Sequence, residues 1–174
     1  MIVLGIDIGL RKGSAWAAVG GMGLYSGTLK SAASDDAAMA HEQAEALRRV
    51  IAEQQALVVA MESQFGQLTK DTTEKERDGM THAALRLAFL RGALAEAAMT
   101  AGCTVIEVAP ATVKKAVTGS GRASKQQVQE AIARQFGVRL SQDRADAAAT
   151  AIAGATRVRA LEVLGMAKDA AAEA

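Results

Sequence analysis

Short apolar runs broken by glycine open the chain. The first runs from Ile2 to Asp7 and closes at Gly9; two more, from Gly13 to Val19 and from Gly23 to Leu29, follow with Gly20, Gly21, Gly23 and Gly27 as punctuation. Runs of this length with turn residues between them predict an antiparallel meander. The period then becomes helical. From Asp35 or Asp36 to about Gln54, the apolar positions Ala40, Ala44, Leu47, Val50 and Ile51 recur every three or four residues. Leu57 to Met61 is a continuous apolar run, the mark of a buried strand, and residues 66–79 are polar, charged and without period, predicting a mobile loop.

The next helix, from about Met80 to Ala101, carries two apolar stripes: Met80, Ala84, Leu87, Leu94 and Ala98 on one, Leu85, Phe89 and Ala93 on the other. A helix with two such faces is expected to touch two things. A strand from Thr104 to Val108 ends before Pro110, the only proline, and a short helix from Ala111 to Val117 follows. After the turn from Thr118 to Arg122, Ser124 is placed to cap a helix reaching Phe136. A last helix runs from about Asp143 to Leu164. Residues 1–165 are thus expected to form one domain and 166–174 a frayed alanine-rich tail. Five strands interleaved with helices predict an α/β fold, a mixed sheet flanked by helices.

Four carboxylates stand out against this pattern. Asp7 ends an apolar strand, and Gly9 beside it lets another group approach the backbone. Glu62 ends the run LVVAM, at the strand edge where open α/β sheets place their sites. Asp143 and Asp146, three apart, share a face at the first turn of the last helix. Each has an ordinary explanation: turn hydrogen bonds for Asp7, an exposed strand end for Glu62, and the helix dipole for the aspartate pair. Together they make a donor set for hard cations, because acids in an aliphatic core are costly unless paired or bound to metal.

Between residues 111 and 139, Lys114, Lys115, Arg122, Lys125, Arg134 and Arg139 face a single acid, Glu130. The turn TGSGRASK within that stretch offers glycine amides and a helix start at which a phosphate can sit, although a solvated basic face is an equally common reason for such a run. Acids for metal beside amines and amides for phosphate point to a phosphodiester. Phe65, three residues after Glu62, can stack on an unpaired base or tuck into the core; Trp16 and Tyr25 suggest packing.

Composition narrows the classes. The chain of 174 residues has 50% apolar residues, enough for its own core, and its net charge of +1 says nothing about partners. Cys103 is the one cysteine, with only His41 and His82 beside it, which disfavours a disulfide or a zinc site and fits a reducing, cytoplasmic setting. No signal peptide or membrane-length apolar stretch is recognisable.

GIDIG, MESQF, VKKAVTGSGRASKQQVQ and DRADAAATAIA occur in the order and approximate spacing of the RuvC-type Holliday-junction resolvases, and the resemblance runs from residue 2 to about 157. It implies an RNase H-like fold with a mixed five-stranded sheet, and a homodimer that resolves four-way DNA junctions by paired symmetric nicks. The cofactor would be Mg2+ or Mn2+, two ions per active site. By motif, Asp7, Glu62, Asp143 and Asp146 would be the metal ligands, with Lys114 and Lys125 near the scissile phosphate. Phe65 would stack at the junction centre, while Lys115, Arg122 and Ser124 would contact DNA. The helix from about Met80 to Ala101 would form the dimer, and a branch-migration complex is a further expected partner. Ile8 departs from the family's usual proline after the first aspartate, without removing a catalytic group.

Three rivals share parts of this pattern. An actin-like or sugar-kinase ATPase opens on the same GIDIG, but needs a duplicated domain for which 174 residues are too few. A non-catalytic junction-binding scaffold would keep the basic patch with idle acids. A nuclease of the same fold could instead cut RNA–DNA hybrids.

Overall fold

A computed structural model describes the backbone of residues 1–10, 12–21, 23–63 and 74–172, and side-chain surroundings for that set outside 74–81 and 164–172. Its strands are β1 (Val3–Asp7), β2 (Ser14–Gly20), β3 (Gly23–Leu29), β4 (Val58–Glu62) and β5 (Thr104–Val108). Its helices are α1 (Asp36–Gln54), α2 (Glu74–Thr100), α3 (Pro110–Thr118), α4 (Lys125–Phe136) and α5 (Gln142–Ala172). The five strands form one mixed sheet in the order β3-β2-β1-β4-β5, antiparallel through the β1–β2–β3 meander and parallel from β1 to β4 to β5.

Period-two alternation assigns each strand residue to a layer. Leu4, Ile6, Val59 and Met61 pack with Met39, Leu47, Val50 and Ile51 of α1 and Leu90, Leu94 and Ala98 of α2. Val3, Val58 and Ala60 face the other way, against Ala151 of α5. Asp7 and Glu62, in phase with Val3 and Ala60, therefore lie on the α5 side. The β1–β4 register, ending at Ile6–Met61, leaves them at adjacent strand ends.

Small residues bring α5 close to the sheet. A Cβ added at Gly5 would sit 2.0 Å from the Ala147 carbonyl oxygen and 2.4 Å from the Ala151 nitrogen, and one at Gly154 would sit 2.6 Å from Ala60 Cβ. Alanines 145, 147, 148, 149, 151 and 153 are all buried along this helix. The alanine richness of the chain is thus a packing device, and it sets the first turn of α5 directly over the end of β1.

Several expectations need correction. Leu57, assigned to a buried strand, is 61% exposed because it precedes the first β1–β4 pair, Val3–Val58. The loop expected over 66–79 is helical from Glu74 onward; Glu, Lys and Arg are good helix formers, so intrinsic preference favours a helix here without an apolar period. Ala84 is exposed and the buried stripe of α2 includes Leu90 instead. Arg86 explains this by hydrogen-bonding both carboxylate oxygens of Asp36, the first residue of α1, so that Ala84, two residues earlier on α2, lies beyond the start of α1. Tyr25, taken as packing, is 62% exposed. The helix expected to end at Leu164 continues to Ala172, since no proline stops it and alanine favours the helix.

Candidate active site at the strand ends

Asp7, Glu62, Lys114, Lys125 and Asp146 line one cavity of about 310 Å³, floored by Ile6, Ile8, Val113 and Val128. β1 and β4 deliver the first two, the start of α5 delivers Asp146, and Lys114 and Lys125 come from α3 and the first residue of α4. Asp143 opens onto a second cavity of about 320 Å³ that also holds Asp7, together with Lys12 and the backbone of Gly9 and Gly13. Asp7 and Ile8 line both.

The electrostatics follow from this crowding. Burial, then the Asp146 and Asp143 carboxylates, raise the pKa of Asp7 from 3.8 to about 7, against the lowering effect of Lys125. Burial and Asp146 likewise raise Glu62, with Lys114 and Lys125 pulling it back. Asp146 is raised mainly by burial, although Lys125 Nζ lies 3.5 Å from its Oδ2. Among the described residues no three His, Cys, Asp or Glu side chains stand close enough together to hold a metal ion as placed. The acids instead line the cavity walls at a distance. Carboxylates whose mutual repulsion Lys114 and Lys125 only partly offset are oxygen donors of the kind a hard divalent cation takes, and the donor set fits such an ion without a histidine or thiolate.

Two supports hold the site. Gln43, fully buried, accepts hydrogen bonds at Oε1 from the Ser14 N–H (3.0 Å) and hydroxyl (2.6 Å), and the Gly9 N–H donates to Ser14 Oγ (3.3 Å). The group that Gly9 admits is the Gly13 carbonyl, 2.7 Å from where a Cβ would stand. On the other layer, Arg91 of α2 donates to the main-chain oxygen of Glu62 at 2.7 Å.

The basic stretch divides. Lys114 and Lys125 enter the cavity that holds Asp7, Glu62 and Asp146, whereas Arg134 and Arg139 line a separate groove with Gln126, Gln129, Glu130 and Gln142. Lys115 and Arg122 are exposed. Of the glycine amides expected to be open to phosphate, that of Gly119 is engaged, donating to the Lys115 carbonyl at 2.9 Å. Three neighbouring amides are engaged too: Ser120 N–H donates to Thr118 Oγ1, Arg122 N–H to Ser120 Oγ, and Ala123 N–H to the Ser120 carbonyl. Ser124 forms a capping box with Gln127, accepting at its hydroxyl and donating from its N–H. Phe65 lies outside the described residues. Sequence reasoning missed Arg91, Lys12 and the Ser14–Gln43 pair; only Arg91 carried a signal, a lone charge inside LAFLRGALA.

With this arrangement in place, the family model described as crossover junction endodeoxyribonuclease RuvC matches residues 3–156. The chain belongs to the RuvC family. It is 35% identical over 163 residues to the RuvC crossover junction endodeoxyribonuclease of Zymomonas mobilis, covering 87% of this chain and 89% of that one. Its match to the RuvC of Halorhodospira halophila, 39% over 108 residues, takes in 61% of this chain and 58% of that protein, a little over half of the relative's length. Among solved structures, Thermus thermophilus RuvC in complex with Holliday junction substrate superposes with a TM-score of 0.73 at 25% identity, covering 91% of this chain and 95% of that one. The mixed sheet and its two helical layers are thus the RNase H-like architecture of the RuvC resolvases.

Proposed function

We propose that this chain is a structure-selective endonuclease that resolves four-way DNA junctions by paired, symmetric hydrolysis of phosphodiesters. The observation that carries this reading is the shared cavity of Asp7, Glu62 and Asp146 with Lys114 and Lys125, which joins a cation-binding donor set to amines suited to a phosphate. Asp7, lining both cavities, would serve two Mg2+ or Mn2+ ions, with Glu62 and Asp146 on one side and Asp143 on the other. Bound divalent cations supply the positive charge that acidifies water and stabilises a departing 3' oxygen.

The protein's own groups do the rest. Lys125, held near Asp146, positions the phosphate; Lys114, half-buried, offsets charge developing on it. The products carry a 5' phosphate and a 3' hydroxyl, ends a ligase can seal. Lys115 and Arg122, both exposed, suit the flanking backbone. The role of Ser124 is narrower, because capping α4 occupies its hydroxyl and amide. Phe65 is assigned stacking at the junction centre by its motif.

Leu85 and Phe89, 65% and 53% exposed on α2, form the surface on which a second copy would dock, giving a homodimer with two equivalent sites. A branch-migration complex would be a partner of that dimer, in the cytoplasm; no described helix is long and apolar enough to cross a membrane. A panel of a synthetic four-way junction, linear duplex and RNA–DNA hybrid with Mg2+ tests the assignment. Paired nicks confined to the junction are expected. Digestion of the hybrid with the junction intact, or binding of the junction without cutting, would replace it with one of the rival readings.

A further inference from the structure

We infer that Arg91 is a positioning residue for Glu62, gripping the main chain of that acid from the opposite layer of the fold. The inference rests on the reading of Glu62 as a cation ligand. The last β1–β4 pair is Ile6–Met61, one residue short of Glu62, so on the β1 side the ladder has ended. On the other side β5 still holds this end of β4, through the Glu62–Val108 pair and the Ser63 N–H, which donates to the Val108 carbonyl at 2.9 Å. Where the β1 ladder stops, Arg91 Nη1 donates to the Glu62 carbonyl oxygen at 2.7 Å. The guanidinium is itself anchored. Its Nη2 lies 2.6 Å from Glu107 Oε1, a charge contact without hydrogen-bond alignment, and its side chain is only 17% exposed.

The main chain of Glu107 is fixed, while its carboxylate is 60% exposed. This residue pairs in register with Met61, one residue before Glu62, and its carbonyl accepts from Arg157 Nη1 of α5 at 2.6 Å. Arg91 therefore links α2 to the ends of β4 and β5 on the face away from the cavity, while the Glu62 carboxylate points into it. A rotation of the Glu62 peptide would swing that carboxylate with it. Arg91 is not among the residues lining the cavity; with the β5 pairing it acts by fixing the direction from which Glu62 enters that space.

Isothermal titration of Mn2+ into Arg91→Met, Arg91→Lys, Glu107→Gln and Glu62→Gln, with thermal unfolding of each in EDTA, tests this. Arg91→Met is expected to bind Mn2+ about 10–100-fold more weakly than wild type, beyond what any change in melting temperature explains. Arg91→Lys, which keeps one donor, and Glu107→Gln, which keeps the carbonyl bond, should fall between the two. These milder variants decide the matter if Arg91→Met does not fold. Wild-type Mn2+ affinity in Arg91→Met, or in both milder variants, alongside weakened binding in Glu62→Gln, would overturn the positioning role alone. Wild-type affinity in Glu62→Gln would overturn the ligand assignment, and the inference with it.

Discussion

Replacing Asp7 by asparagine should make the cation-free protein more stable while destroying its activity. The Asp7 pKa rises from 3.8 to about 7, and at roughly 1.36 kcal/mol per pH unit the ionised carboxyl costs the folded state about 4 kcal/mol above neutrality. The sign is that of an acid whose folded pKa exceeds its unfolded one. Between about pH 4 and 7 the folded state binds the extra proton, so this contribution to stability is lost as pH rises through that window. Glu62 and Asp146, also raised, share the effect. An amide at position 7 removes the charge but must find its own partners, leaving a net gain of about 2–4 kcal/mol at pH 8. For a chain of this size that is a rise in Tm of roughly 5–15 °C.

The assay is urea or thermal unfolding in EDTA from pH 5 to pH 8. Wild type should lose stability across that range, and Asp7→Asn should show a flatter profile and be the more stable at pH 8. Adding Mg2+ at about 100 times its dissociation constant should restore roughly 2.7 kcal/mol to wild type and much less to the variant. A wild-type profile that is flat or rises with pH, or an Asp7→Asn protein no more stable at pH 8, would refute the electrostatic account.

Other perturbations separate chemistry from scaffold. Lys125→Ala removes a mostly exposed side chain 3.5 Å from Asp146, so cutting should fall about 10²–10³-fold while unfolding free energy changes by less than about 1 kcal/mol, read by single-turnover cleavage and urea titration. Gly5→Ala drives a methyl into the α5 backbone, and circular dichroism should find it destabilised by at least about 3 kcal/mol. Phe89→Glu on the exposed face of α2 should give a folded monomer by sedimentation, and a persistent dimer would move the interface elsewhere.

Much of this was legible in the residues because periodicity is local. The meander, α1, β4 and β5 follow from apolar spacing, and the cap at Ser124 from its side chain. The acids were legible because their positions at strand and helix ends break an apolar pattern, and the motifs around them belong to one family. What the pattern could not give is tertiary. The start of α2 is helical without an apolar period to announce it, and the exposure of Ala84 depends on where α1 begins, far away in sequence at Asp36. Arg91 meets Glu62 only through the stacking of layers, and the splitting of the basic stretch depends on which way α4 turns from its cap.

The central claim is that acids from β1, β4 and α5 jointly hold divalent cations. Anomalous diffraction from crystals grown with Mn2+ tests it most directly. The account predicts peaks touching Asp7 together with Glu62 and Asp146 on one side and Asp143 on the other; manganese that avoids Asp7, or binds only at scattered surface carboxylates, would contradict it.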